Sequence, residues 1–195
     1  MNIGFRLIFR LIERMIHMKL VAVLGSPHPN GPSSTLAKEV IRGAKEAGWE
    51  ISLYEIESMH VRGCQGCRAC KQKGIDCVVK DDLTPYWKDL HTCDALLVSS
   101  PNYASTVTGP MITYMNRHYC LLDENWQPRI KPGIKLIGVF AQGAQDASLY
   151  QKNYEWFLHD FENRGMVLQH MFVHTGGGPA TEDERKRAFE AGYTL

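Results

Sequence analysis

Five short apolar runs, each followed by a stretch of helical periodicity, leave this chain few folds to choose from. The first run, Lys19–Leu24, is apolar and β-branched at alternate positions, as a buried strand is. It stops at Gly25 in a loop of Ser, Pro, Asn and Gly. A helix is expected from about Ser33, with Leu36, Val40, Ile41 and Ala44 on one face. Further strands are expected at Glu50–Ile56, Asp94–Ser100, Ile134–Phe140 and within Met166–His174. Helices are expected from Asp81 and Asp82, as caps, to about His91, then over Gly109–Leu122, Ser148–Asn163 and Thr181–Tyr193. Such alternation predicts a doubly wound, five-stranded parallel sheet in three layers. Right-handed crossovers favour strand order 2-1-3-4-5. In that order ligands sit at the carboxyl ends of the strands, beside the first and third.

The bulk numbers agree with one domain. The chain has 195 residues, enough for a continuous core, and a net charge of +1 gives no reason to expect nucleic acid. No apolar run is long enough for a membrane span. Six Cys in a chain of this length and pattern read as reduced thiols, and a cytoplasmic setting is expected. Residues 1–17 are expected to form a basic amphipathic extension, with Arg6, Arg10 and Arg14 opposite Phe5, Ile8, Ile12, Met15 and Ile16. It is read as an appendage to a domain spanning 18–195.

The turn after the first strand aims free amides and the positive end of a helix at one spot, a ready anion site. It lacks both the Gly-Lys-Ser/Thr ending of a nucleoside-triphosphate loop and G-x-G-x-x-G spacing. Its sequence, GSPHPNGPSSTL, resembles the GSPR-x-x-G-N-T/S-x-x-L loop of the flavodoxin-like NAD(P)H-dependent FMN reductases. That resemblance implies that Ser26, His28, Asn30, Ser33 and Ser34 hold the 5′-phosphate of FMN, with His28 where Arg is usual and Pro32 where Asn is usual. The segment SSPNYASTVTGPMITYMNR resembles the family's flavin-bordering segment. It implies flavin contacts from Pro101, Asn102, Tyr103 and Ser105, with Arg117 retained on the helix beyond. Gln142 and Gly143, after the fourth strand, fall at the same sheet end, where a simple turn explains them almost as well.

The loop 57–80 holds Cys64, Cys67, Cys70 and Cys77 in the pattern C-x2-C-x2-C-x6-C. Thiolates packed this closely suit one soft metal centre. The run opens like a bacterial ferredoxin motif and then departs from it in its last interval. It resembles the compact motif of the iron-sulfur flavoproteins, in which it ligates a [4Fe–4S] cluster near FMN. Zinc, a redox-active thiol relay, and free thiols beside FMN alone stay open. Cys93 and Cys120 read as buried structural thiols. The implied activity is electron transfer from NAD(P)H or a reduced carrier, such as a ferredoxin, to a quinone or other small acceptor. A homodimer or dimer of dimers is implied. A non-catalytic flavodoxin-like carrier is the alternative, and a zinc-filled assembly scaffold a third.

Overall fold

A computed structural model describes residues 18–195, and the extension expected over residues 1–17 lies outside the described residues. The five expected strands are present as β1 (Lys19–Leu24), β2 (Glu50–Glu55), β3 (Ala95–Tyr103), β5 (Lys135–Ala141) and β6 (Val167–His174). They pair in parallel in the order β2-β1-β3-β5-β6, which in chain order of these five is 2-1-3-4-5. A sixth, two-residue strand, β4 (Thr106–Val107), folds back antiparallel on the end of β3. The helices are α1 (Pro32–Glu46), α2 (Ala69–Lys73), α3 (Thr84–Thr92), α4 (Gly109–Arg117), α5 (Gln151–Glu162) and α6 (Glu182–Tyr193).

The strand alternation splits the core into two layers. Leu20, Ala22, Leu97, Ile137 and Val139 face α1 and α6. Val21, Val23, Leu96, Val98 and Phe140 face α3, α4 and α5. On the first face α1 and α6 touch through glycines. A Cβ on Gly192 would lie 2.0 Å from the Val40 carbonyl, and one on Gly43 would lie 2.1 Å from the Phe189 carbonyl. Any larger residue at either position would force the helices apart.

Two expectations change. Asp81 and Asp82 do not cap α3, which starts at Thr84 behind Leu83 with no side-chain cap. Asp81 accepts instead from Arg117 Nη1 at 2.5 Å and from the Arg62 amide at 3.0 Å, while Asp82 accepts from the His60 amide at 2.7 Å. Both carboxylates brace the Cys-rich loop. The helix expected over Gly109–Leu122 tightens to a 3₁₀ turn at His118–Leu121. There the His118 carbonyl accepts from Arg164 Nε, and the Leu122 carbonyl from Lys71 Nζ, in place of helical partners.

Candidate functional site

Three loops and a strand end meet at the carboxyl edge of the sheet, beside β1 and β3. The first is the turn from β1 into α1. Gly25 donates to the Ser99 carbonyl at 2.8 Å and its own carbonyl accepts from Thr108 Oγ1 at 2.9 Å, locking the turn against the start of α4. A Cβ at Gly25 would sit 2.0 Å from Met111 Cγ, so only glycine fits. Beyond it the His28 carbonyl gathers donors from the Gly31 amide and the Ser26 and Ser34 hydroxyls, which curls the turn. Gly31 then opens α1 without a side-chain cap, with Pro32 in the first turn. The amides of Ser33 and Ser34, both buried, belong to the first turn, which has no intrahelical acceptor to offer them. An uncapped helix start of this kind offers a site for an anion.

The second element is the β3–β4 hairpin. Its tip residues, Ala104 and Ser105, both take positive φ, 50° and 70°. They form a two-residue turn of the type that usually needs Gly or Asn. Asn153 Nδ2 donates to the Ser105 carbonyl and pins the tip. The hairpin presents Tyr103, 45% exposed, as a flat aromatic surface at the mouth of the site. The third loop follows β5. Its Gln142 is buried, with its amide donating to the carbonyls of Ala144 and Asp146 and its Oε1 accepting from Tyr154 Oη at 2.9 Å. Tyr154 Oη in turn accepts from Asn102 Nδ2 at 3.0 Å. Asn102, Tyr154 and Gln142 therefore tie the second loop to the third.

Between these parts lies an open cleft of about 220 Å³. Of the residues singled out in the sequence, Ser26, His28, Ser33, Pro101, Asn102, Tyr103, Gln142 and Gly143 line it. Asn30 stays exposed on the outer side of the turn, Ser34 lines a neighbouring depression, and Ser105 sits at the hairpin tip. The end of β6 was missed. His174, Gly177 and Gly178 complete the wall. His174 is buried, and its Nδ1 lies 3.1 Å from both carboxylate oxygens of Glu184. Burial opposes ionisation of Glu184, but Thr181 and His174 hydrogen bonds hold its carboxyl below the usual range. The sequence signal was available: the fifth strand ends at the same sheet edge as the other three.

The four motif cysteines meet near the other end of α4, where Arg117 lies. Cys64, Cys67, Cys70 and Cys77 line one pocket together with Cys120, Arg117 and Tyr119. Cys120 borders the pocket and, as expected of a buried thiol, also belongs to the core. Burial pushes its thiol up to about 12, as it does that of Cys93, which lies elsewhere. Burial raises Cys70 as well, against the pull of the Lys71 amide and ammonium.

Arg117 organises this loop. Its guanidinium is buried and donates from Nε to Cys77 Sγ at 3.3 Å, from Nη1 to the Arg62 carbonyl at 2.7 Å, and from Nη2 to the Val79 carbonyl at 3.2 Å. Both ends of the Cys-rich segment hang on one side chain. Burial opposes ionisation of Asp81, and Arg117 with the Arg62 and Leu83 amides outweighs it and holds the carboxyl low. Thiols in one pocket under a thiol-directed guanidinium are the donor chemistry of a soft metal. The pocket itself is tight, about 10 Å³, the room of a single water. No group of three or more His, Cys, Asp or Glu is drawn to metal geometry among the described residues. Cys64 and Cys67 are exposed, whereas Cys70 is buried and Cys77 half-buried.

Parallel sheet, anion-accepting loop and aromatic-lipped cleft together define a flavodoxin-like protein built for a flavin nucleotide. The chain belongs to the NADPH-dependent FMN reductase family, whose model matches residues 18–176. An iron-sulfur flavoprotein of Archaeoglobus fulgidus is 32% identical over 114 residues, 58% of this chain and 50% of that protein. The chain therefore spans about half the length of that relative. An iron-sulfur flavoprotein of Methanocaldococcus jannaschii is 27% identical over 143 residues, 73% of each chain. Among solved structures, the NAD(P)H:quinone oxidoreductase from Methanothermobacter marburgensis is similar with a TM-score of 0.69 at 15% identity, over 92% of this chain and 97% of that one. A flavodoxin from the domain Archaea gives 0.57 at 13%, over 91% and 95%. Both structural likenesses speak for the fold. No helix among the described residues is long and apolar enough to cross a membrane.

Proposed function

We propose that this protein is an FMN-dependent oxidoreductase that takes electrons from NAD(P)H, or from a reduced carrier such as a ferredoxin, and passes them to a small acceptor. The reading rests above all on one observation. The uncapped start of α1, the Tyr103 hairpin and the Gln142–Gly143 loop all border a single cleft at the sheet edge. When bound, FMN supplies the two-electron chemistry. The chain's own residues do the positioning. Ser26 and the Ser33 and Ser34 amides hold the phosphate, Pro101, Asn102 and Tyr103 border the ring, and Gln142 keeps the second and third loops in register through Tyr154. Asn30, Ser105 and His28 stand at the margins of this set.

The finer reading adds a [4Fe–4S] cluster on Cys64, Cys67, Cys70 and Cys77, in keeping with the names of the curated relatives and with the shared pocket. Metal binding would then order the loop as it forms. A second reading, an FMN-only NAD(P)H:quinone or flavin reductase, is favoured by the tightness of the thiol pocket. The proposed setting is the cytoplasm, and the proposed assembly a homodimer or dimer of dimers.

An absorption spectrum of anaerobically purified protein, with steady-state NAD(P)H oxidation, tests all of this. Flavin bands with a broad shoulder bleached by dithionite are expected. Flavin bands alone would leave the FMN-only reading, and a protein that binds no FMN would end both. Turnover with a small acceptor separates an enzyme from a flavodoxin-like carrier, which should show almost none.

A further inference from the structure

Among the described residues Lys71 is the one buried lysine, at 7% exposure. Its Nζ donates to the Leu122 carbonyl and lies 4.2 Å from the Tyr119 ring centroid and 5.1 Å from that of Trp126. All three partners are neutral. No carboxylate reaches it among the described residues. Asp123, the nearby acid, accepts at Oδ1 from the amides of Asn125 and Gln127 and makes no ion pair with Lys71. A buried ammonium without a counter-charge is costly, and its presence calls for a negative group close by.

Arg117 makes the contrast. It too is buried beside the thiol pocket, but Asp81 neutralises it. Of the buried cations here Lys71 alone meets no carboxylate; it stands behind the pocket wall, while Arg68, which lines the pocket without an ion pair, is exposed to water. Lys71 directly follows Cys70 in the chain, and it stacks on Tyr119, which lines the thiol pocket together with Cys120. What the site lacks is anionic charge. Four cysteine thiolates around zinc, or around an oxidised [4Fe–4S] core, make a dianion.

We infer that Lys71 is the counter-cation of an anionic four-thiolate metal centre on Cys64, Cys67, Cys70 and Cys77, a positioning residue that sets how readily the centre takes an electron. This rests on the cluster reading given above. One-electron reduction by the reduced flavin makes the centre more negative by one charge and breaks no bond. A fixed cation nearby favours that reduced form and raises the potential.

The test uses the full chain purified without oxygen as wild type, Lys71→Met and Lys71→Arg. Iron and FMN contents are measured, and a redox titration is followed by electron paramagnetic resonance. In Lys71→Met the ratio of reduced to oxidised centre at a fixed potential should fall at least tenfold, a downward shift of about 59 mV for one electron. Lys71→Arg should stay near wild type. A Met variant that keeps FMN but loses iron, while the Arg variant keeps both, also supports the assignment. If the Met variant does not fold, Lys71→Gln supplies the neutral side chain with the Leu122 hydrogen bond retained. An iron-loaded neutral variant titrating at the wild-type potential overturns the role of Lys71 alone, as does equal loss of iron from the Met and Arg variants. Wild-type protein holding FMN but no iron sinks the cluster reading, and this inference with it.

Discussion

The flavin cleft lies near the start of α4 and the thiol pocket near its end, and the two are held by opposite means. The cleft is made of strand ends. Its walls are backbone amides, two prolines, a tyrosine and glycines, and no Lys, Arg, Asp or Glu is among its lining residues. Its shape follows from the sheet order, because any protein wound this way brings those loops together. The thiol pocket has no regular element of its own beyond α2, a helix of five residues. It is held in place by buried ions, Arg117 with Asp81 on one side and Lys71 on the other. A site built on topology tolerates change in its loops, whereas a site built on buried charges depends on single residues.

That contrast fixes where damage is greatest. Arg117→Met should destabilise the fold by about 3–5 kcal/mol, because Asp81 is left as a buried, unpaired carboxylate. Urea denaturation measures it, and a loss near zero would mean that the loop is held by something else. At the cleft, Ser33→Asp places a negative charge where the phosphate is proposed to sit. FMN affinity should fall about 100-fold, about 2.8 kcal/mol, by fluorescence titration, with iron content unchanged. Equal loss of iron would show the two regions to be coupled.

In the core behind Arg117 stands His118, wholly buried, with Nε2 2.9 Å from Tyr86 Oη and its ring stacked on Tyr86. Burial, with Arg164 and Arg117 nearby, holds its pKa well below 6.5. The unfolded chain therefore binds this proton at a higher pH than the folded one. Its contribution to stability is complete above the unfolded pKa and is lost as pH falls through 6.5 towards the folded value. The slope is about 1.4 kcal/mol per pH unit. Denaturation midpoints between pH 7.5 and 5 should show the decline, and His118→Phe should flatten it by one proton. The smallest effect belongs to the hairpin tip. Ala104→Gly relieves a left-handed residue and should stabilise the protein by about 0.5–1 kcal/mol in thermal unfolding, after the entropic cost of glycine. A loss instead would mean that the turn is held by its side chains.

The strands, their order and most helix spans were legible in the sequence, since period and punctuation are local. Ser148–Asn163 and Gln151–Glu162 differ only at the ends, where the first turn of α5 frays into loop. Pro101–Tyr103 were expected as loop and continue β3. A register of neighbours, Asn102 to Val107 and Tyr103 to Thr106, carries the strand on, and this pairing depends on a turn with two positive φ residues that the sequence does not advertise. The site was half visible. Ser26, Ser33 and Tyr103 line the cleft; the strand end that carries His174 was legible, but its contact with Glu184 joins two separate elements and was not.

The order of residues along the chain was enough to set the alternation of strand and helix, the glycine turn after the first strand, and the close spacing of four cysteines. Each depends on neighbours within a few positions, where propensity and periodicity act. Folding alone settled which charges are buried and what answers them: Arg117 reaches back to Asp81, and Lys71 reaches forward to Leu122. Such pairs join residues far apart in sequence, and no local pattern encodes them. The cost of an unmatched charge appears only once water has been excluded around it.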